Sequence, residues 1–211
     1  MSDPNNLDPA TNAPLAPSRT GDIIPEPAIN NNGQLYVVWQ DARFNNLAND
    51  EVLISTSSNG GANWSAPERV NDYTGQPAYD PSVFVNADGV VGVSYLQWAQ
   101  TVPGNEPTTL FIRHSTAPGS SNTGPAFDTS TPLNGPFNNL AAPVARGYFL
   151  GDYQGLVANA SGFIPFYVKT NCADGGPTTQ PSCRAIQSVL NPTDRTPTLN
   201  NATDVYALPG S

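Results

Sequence analysis

The sequence predicts an all-β protein, and three observations lead to that prediction. Helical periodicity is almost absent from the 211 residues, and 22 prolines and 18 glycines interrupt the chain too often for long helices. Short runs of alternating apolar and polar residues, typical of half-buried strands, lie between these breaks. Trp39, Trp64 and Trp98, together with these apolar runs, indicate a packed core rather than a disordered chain.

A unit of about fifteen residues recurs three times and predicts the architecture. Each copy has an acidic residue, a short apolar strand, a turn ending in glycine, and a second strand ending in an aromatic residue. The copies are EPAINNNGQLYVVW (26–39), DPSVFVNADGVVGVSY (80–95) and DYQGLVANASGFIPFY (152–167). Their turn glycines are Gly33, Gly89 and Gly162. Glycine is expected there because tight hairpin turns need positive φ.

Further strands complete each unit. The third strands are predicted in NLANDEVLI (46–54), TTLFIRHST (108–116) and NNATDVYAL (200–208), and a fourth strand of the first unit in APERV (66–70). Three units of three or four antiparallel strands predict propeller blades, because blades repeat radially and bury their faces on one another. A β-sandwich of similar strand count is the alternative, but it does not predict the repeated unit.

The predicted domain organisation follows the repeat. An N-terminal extension covers residues 1–20, and about three four-stranded blades cover residues 21–75, 76–145 and 146–211. Propellers usually have about 4 to 8 blades, so three cannot close a ring. The chain is therefore expected to be a partial propeller or a fragment, with blades missing or supplied by self-association.

The charge of the chain excludes several classes of function. The formal net charge is −9, with 8 lysines and arginines in total and no basic cluster. Binding to nucleic acid needs such clusters, and so does binding to an anionic membrane surface. No apolar run reaches the length of a membrane span. The sequence therefore predicts no nucleic-acid partner and no membrane insertion. It also predicts no metal site and no cofactor.

The two cysteines, Cys172 and Cys183, lie in the polar stretch NCADGGPTTQPSC (171–183). A metal site would need more ligands, and the only histidine is distant at His114, so a local disulfide is the better interpretation. A disulfide would place the protein in an oxidising compartment. The N-terminal residues contain no signal peptide, so a secreted protein would carry its signal upstream of this chain.

The stretch SSNGGANW (57–64) follows a predicted strand, and its asparagine and glycines predict a tight turn. The Asn59 side chain is expected to accept from a backbone N–H two residues on, and the adjacent glycines permit positive φ. Trp64 is expected to fold back as a buried plug between the third and fourth strands of the blade. The turn is therefore predicted to have a structural role rather than a chemical one.

This stretch resembles the Asp-box, or BNR repeat, of sialidase-type propellers. Ser57, Asn59, Gly61 and Trp64 match the box, while Asn63 stands where threonine is usual. YVVWQDAR (36–43) and FLGDYQGL (149–156) look like segments of bacterial secreted exo-α-sialidase-type proteins, and the resemblance covers most of residues 21–208.

The resemblance implies a sialidase-type β-propeller, a secreted or cell-surface location, and a carbohydrate or glycoconjugate partner. It also implies a glycoside hydrolase; the alternative is a non-catalytic propeller module that binds glycans or proteins. In that family the boxes lie on the rim away from the active site, which agrees with a structural role for residues 57–64.

The acids that begin the repeats are the candidate catalytic residues. Glu26, Asp80 and Asp152 each precede an innermost strand, and innermost strands line the central channel of a propeller. Carboxylates that converge at one end of the channel raise one another's pKa, which suits general acid catalysis, or bind a cation together. The alternative is that they cap turns.

The resemblance also implies arginines that grip a substrate carboxylate and a tyrosine nucleophile. Arg43, Arg113 and Arg146 are the candidate substrate-binding residues, and Tyr153, beside Asp152, is the candidate tyrosine. The Phe/Tyr-Arg-Ile-Pro segment that usually carries the first arginine of the family is absent. That absence favours the non-catalytic alternative.

Overall fold

The computed structural model describes residues 18–20, 24–99, 105–143, 148–170 and 203–208. This part of the chain is all-β, with one short 3-10 turn (Asn139–Ala141) and no α-helix. It contains no helix long and apolar enough to cross a membrane. In chain order the strands are β1 (Ser18–Arg19), β2 (Glu26–Ile29), β3 (Leu35–Asp41), β4 (Glu51–Ser57), β5 (Glu68–Arg69), β6 (Ala78–Val85), β7 (Val91–Trp98), β8 (Pro107–Ala117), β9 (Ala126–Phe127), β10 (Thr131–Asn138), β11 (Tyr148–Phe149), β12 (Gly155–Asn159), β13 (Gly162–Thr170) and β14 (Thr203–Ala207).

Three antiparallel sheets follow one another along the chain. The first has the order β2-β3-β4-β5, the second β6-β7-β8-β10 with β9 paired to the end of β8, and the third β12-β13-β14. Strand β6 contacts β2 and β3 on one side and β12 on the other. The first strands of the three sheets therefore lie next to one another, as innermost strands of successive blades do. The described residues form a partial β-propeller.

The first two hairpins are built by the same turn. Asn30 and Asn86 each accept hydrogen bonds through the side-chain oxygen from the backbone N–H groups two and four residues on, at 2.9–3.0 Å. Gly33 and Gly89 follow with φ of +80° and +81°, where a side chain would be strained. In the first two copies, the repeat seen in the sequence is thus also a repeat of hydrogen bonding.

Apolar side chains fill the two spaces between neighbouring sheets. The core between the first and second sheets includes Tyr36, Val38, Val52, Ile54, Val83, Val93 and Tyr95, all buried. Between the second and third sheets, Phe163 packs against Gly92, and its ring centroid lies 5.1 Å from that of His114. Gly92 leaves the space that the Phe163 ring occupies.

The third sheet presents an apolar face on the side opposite Phe163. Val157, Phe166 and Val205 are exposed there, with exposed fractions of 41, 42 and 71 %. The strand register places all three on the same face. No other described sheet covers this face, which is the face on which a further blade of a propeller would pack.

A short parallel pairing joins distant parts of the chain. Ser18 and Arg19 of β1 pair with Tyr148 and Phe149 of β11. The end of the predicted N-terminal extension is therefore hydrogen-bonded to the segment that leads into the third sheet.

The Asp-box-like turn is held by two side chains. Ser57 Oγ donates to Asn59 Oδ1 (3.0 Å) and accepts from the Gly61 N–H (2.9 Å). Asn59 Oδ1 also accepts from the Asn63 N–H at 2.9 Å. The expected bond two residues on is therefore corrected to one four residues on, which spans the whole turn.

The expectation that Trp64 is a buried plug is wrong. Its exposed fraction is 43 %, and its ring lies over the turn, beside Gly61. Ser65 is buried instead, with an exposed fraction of 5 %: its Oγ accepts from the Thr56 N–H at 3.1 Å, and its carbonyl accepts from Ser55 Oγ at 2.8 Å. The residue that packs against β4 after the turn is therefore Ser65 rather than Trp64.

We predict that Gly92→Ala destabilises the protein by about 1–3 kcal/mol, because overpacking forces neighbouring groups apart. The new Cβ would lie within 2.6 Å of Phe163 Cδ1. Urea unfolding measures the change. Gly155→Ala is the matched control, since its Cβ would lie at an ordinary 3.6 Å from Phe166. Equal stability of the two variants would contradict the packing of Phe163 on Gly92.

We predict that Asn59→Ala lowers the free energy of unfolding by about 1–2 kcal/mol, because it removes the acceptor shared by Ser57 and the Asn63 N–H. Asn59→Asp keeps an acceptor oxygen and should retain most of the stability. Asn63→Ala is the control, because Asn63 is exposed and contributes its backbone N–H to the turn. Thermal unfolding compares the variants, and a loss in Asn63→Ala as large as in Asn59→Ala would overturn the assignment.

Candidate functional site

The structure brings the three repeat acids together. Glu26 is the first residue of β2, Asp80 is the third residue of β6, and Asp152 lies three residues before β12. The charges of Asp152 and Glu26 both raise the pKa of Asp80, so the three carboxyl groups lie within electrostatic reach of one another. The adjacency of the innermost strands produces this cluster, called here the acid cluster.

A β-bulge places Asp80. The pairing of β6 with β7 shifts register between Tyr79 and Ser82, and Asp80 within that shift has φ of +47°. The Asp80 N–H donates to Oε1 of Gln40, on β3 of the first sheet, at 3.2 Å. Bulges re-aim side chains and occur often beside active sites, and non-glycine residues with positive φ are uncommon. Sequence reasoning missed Gln40, because its partner is a backbone group forty residues away.

The Asp80 carboxyl group is the most perturbed member of the cluster. Its residue is only 5 % exposed, and Oδ1 is buried without a hydrogen-bond partner among the described residues. Burial, followed by the charges of Asp152 and Glu26, raises the pKa of Asp80 well above its ordinary value. Burial and neighbouring negative charge both favour the neutral acid, so this group is suited to hold and donate a proton.

Glu26 and Asp152 have different partners. Ser82 Oγ donates to Glu26 Oε2 at 2.9 Å. Burial raises the pKa of Glu26, and the bond from Ser82 partly offsets that rise. Asp152 is more open, with a side chain 35 % exposed, and its Oδ1 lies 3.2 Å from Nη2 of Arg19.

Arg19 is a residue of the site that the sequence did not reveal. It lies on β1, 133 residues before Asp152, and its guanidinium carbon is 4.1 Å from the centroid of the Phe149 ring. No local pattern marks Arg19, because the pairing of β1 with β11 that places it is long-range.

Tyr153 and Arg43 are two further residues that the sequence assigns to the site. Tyr153 follows Asp152 and is 69 % exposed. Arg43 lies two residues after the end of β3, and its Nε donates to Asp41 Oδ2 at 2.8 Å. Its guanidinium also lies 5.8 Å from the ring of Trp39. The catalytic role of Tyr153 and the binding of substrate by Arg43 stay predictions.

Arg113, a candidate substrate-binding residue, has contacts with protein groups in this structure. Its Nε donates to the Asp128 carbonyl at 2.6 Å, Nη1 lies 2.9 Å from Asp72 Oδ1, and Nη1 also donates to the Val70 carbonyl. The side chain is 12 % exposed. Arg113 thus ties β8 to the loop after β5, and its binding of substrate stays a prediction.

Three predicted residues lie outside the described residues. They are Arg146, Cys172 and Cys183. The predicted disulfide and the third candidate arginine stay predictions. Within the part of the chain that the structure describes, no group of three or more His, Cys, Asp or Glu side chains has the arrangement of a metal site.

Comparisons by sequence match no family model and no curated protein. By structure, the chain is similar to a Hadza microbial sialidase, with 17 % identity and a TM-score of 0.46 over 70 % of this chain and 32 % of that one. It is also similar to an α-L-arabinanase of Penicillium chrysogenum complexed with arabinobiose, with 17 % identity and a TM-score of 0.47 over 69 % of this chain and 40 % of that one. A levansucrase variant of B. megaterium has 10 % identity and a TM-score of 0.48 over 79 % of this chain and 47 % of that one.

The chain thus spans between 32 and 47 % of the length of these three solved structures. At such identities the likeness concerns the fold alone. The role of each residue in the acid cluster therefore has to be argued from its own surroundings.

We predict that Asp80→Asn stabilises the protein at pH 8 and has no stabilising effect below about pH 4. Because the pKa of Asp80 is raised on folding, the native state binds more protons than the unfolded state between the ordinary value, about 3.9, and the raised value. Wild-type stability therefore falls as the pH rises through that window. Asparagine tolerates positive φ and carries no charge, so the variant lacks this loss.

Thermal unfolding from pH 4 to pH 8 measures this difference. Each kcal/mol corresponds to roughly 2–4 °C in the melting temperature of a chain of this size. Asp88→Asn, on the exposed turn at the other end of β6, is the control. A pH-independent difference between Asp80→Asn and wild type would contradict the raised pKa.

Proposed function

We propose that this chain is part of a β-propeller glycoside hydrolase in which Asp80 is the general acid. One observation carries the proposal: a buried carboxyl group with an unpartnered oxygen and a raised pKa lies beside two further carboxyl groups at the ends of the innermost strands. Glycosidic bonds are most often cleaved by a pair of carboxyl groups in different protonation states.

The surroundings of the acids divide the roles between them. Asp80, held neutral by burial, donates its proton to the oxygen of the leaving group. Asp152, more exposed and paired with Arg19, supplies the carboxylate that attacks the anomeric carbon or activates a water molecule. Glu26 contributes negative charge that keeps the proton on Asp80.

The substrate and the location follow from the Asp-box resemblance. It supports an exo-α-sialidase-type enzyme with a sialylated glycan or glycoconjugate as substrate. In such an enzyme Arg43 would contact the substrate, and Tyr153 would take the place of Asp152 as the nucleophile. It also supports a secreted or cell-surface location. The exposed apolar face of the third sheet supports further blades, or a second chain, that complete the ring.

A non-catalytic propeller module that binds glycans or proteins is the second candidate function. Its support is that Asp80 is 5 % exposed and that Asp152 is already paired with Arg19. A site for binding alone does not need either group to be free.

We predict that the assembled propeller, made of this chain and the blades that complete its ring, hydrolyses at least one glycoside in a panel of 4-methylumbelliferyl substrates led by the sialoside. Asp80→Asn should lower kcat/KM about 10²–10⁴-fold, the typical contribution of a general acid. Asp88→Asn, an equally conservative change at an exposed site, should not alter it.

The outcomes separate the candidate functions. Binding of a glycan in calorimetry without hydrolysis of any substrate would overturn catalysis and support the binding module. Absence of both binding and hydrolysis would overturn both candidates. Hydrolysis of a neutral glycoside but not of the sialoside would retain the hydrolase and reject the sialidase type.

A further inference from the structure

The segment Ser18–Thr20, called here the strap, bonds to all three sheets. Ser18 Oγ donates to Oε2 of Glu106, which precedes β8 of the second sheet. Arg19 pairs with Asp152, which precedes β12 of the third sheet. The next residue, Thr20, donates through Oγ1 to Oδ2 of Asp50, which precedes β4 of the first sheet, at 3.1 Å. Three consecutive residues thus hold three blades.

The strap also contacts two residues of the acid cluster, one of them through Gln40. Gln40 Nε2 donates to Thr20 Oγ1 at 3.5 Å, and Gln40 Oε1 accepts from the backbone N–H of Asp80. Ser18 and Thr20 are buried, with exposed fractions of 8 and 7 %. The strap therefore contacts the Asp152 carboxylate directly and the Asp80 backbone through one side chain.

Resting on the proposed function, we propose that Arg19 is a positioning residue of the site, which holds the Asp152 carboxylate beside Asp80. Three features fix its guanidinium: the buried residues on either side, the ring of Phe149 beneath it, and the pairing of β1 with β11. An arginine side chain so restrained loses little entropy when it binds a carboxylate.

The ion pair of Arg19 differs from the other arginine pairs of the described residues. Arg43 and Arg69 pair with carboxylates 2 and 18 residues away, within the first sheet, and Arg113 pairs with Asp72. None of these carboxylates belongs to the acid cluster. The Arg19 pair spans 133 residues and includes Asp152, whose charge acts on Asp80. Isolated surface pairs contribute little to stability, so the role assigned to Arg19 rests on this contact with the cluster.

Electrostatics define what removal of Arg19 should do. The charged groups that face Asp80 are Glu26 from β2 and Asp152 from the segment before β12, and burial keeps the neighbouring Tyr79 neutral at ordinary pH. Arg19 supplies positive charge next to Asp152. Without it, the negative charge near Asp80 is uncompensated, and the proton of Asp80 should be held more tightly.

The experiment compares Arg19→Gln, Arg19→Lys and Arg69→Gln with wild type. Carboxyl ¹³C NMR of aspartate-labelled protein follows the titration of Asp80, and circular dichroism checks that each variant is folded. The titration midpoint should rise in Arg19→Gln and stay near the wild-type value in Arg19→Lys. Arg69→Gln is the matched control, because its partner Glu51 does not perturb Asp80.

Kinetics with the 4-methylumbelliferyl substrate give the second readout. Arg19→Gln should lower kcat about 10- to 100-fold, because misplacing a reacting group by about 1 Å has that cost, and Arg19→Lys should recover part of it. The limb of the pH profile set by Asp80 should move to higher pH in Arg19→Gln.

Two results would overturn the proposal. One is a titration midpoint of Asp80 that is the same in Arg19→Gln and in wild type. If Arg19→Gln does not fold, the corresponding result is a folded Arg19→Lys in which the Asp80 midpoint differs from that of wild type. The other is an equal kinetic effect of Arg69→Gln. A shifted titration in a chain without hydrolysis would support Arg19 as the positioning residue and reject the hydrolase, so the two failures are distinguishable.

Discussion

The contact of strand β6 with β2 on one side and β12 on the other is the constraint on which the rest of the structure depends. It places the innermost strands next to one another, so the acids near the ends of these strands come together although they are more than fifty residues apart in the chain. Apolar packing maintains it: a valine- and tyrosine-rich core on the first side and Phe163 over Gly92 on the second.

The acid cluster lowers the stability that this packing provides. A carboxyl group without a hydrogen bond to one buried oxygen, on a residue with φ of +47°, destabilises the fold, and two neighbouring negative charges add to that cost. The strap, the Gln40 bond and the two cores offset it. Residues that lower stability and persist are expected where a protein needs a prepared reactive group.

The sequence predicted those features that depend on neighbours in the chain. Alternation of side chains identified the strands, and asparagine and glycine identified the first two hairpin turns. It also placed Glu26, Asp80 and Asp152 at equivalent points of a repeat. Trp64 was expected to be buried, but Ser65 takes the buried position beside β4, which depends on contacts between segments that the sequence does not show. The carbonyl groups that accept from Arg113 were likewise not visible in the sequence.

By itself, the sequence determined the all-β class, the repeated unit and the acids that begin it, since each is encoded within about fifteen residues. Only the tertiary structure decided which groups surround those acids. Arg19, 133 residues from Asp152, and Gln40, 40 residues from Asp80, join the site through strand pairing and blade packing. The protonation of Asp80 depends on burial and on charges from other blades, which exist only once the sheets have packed.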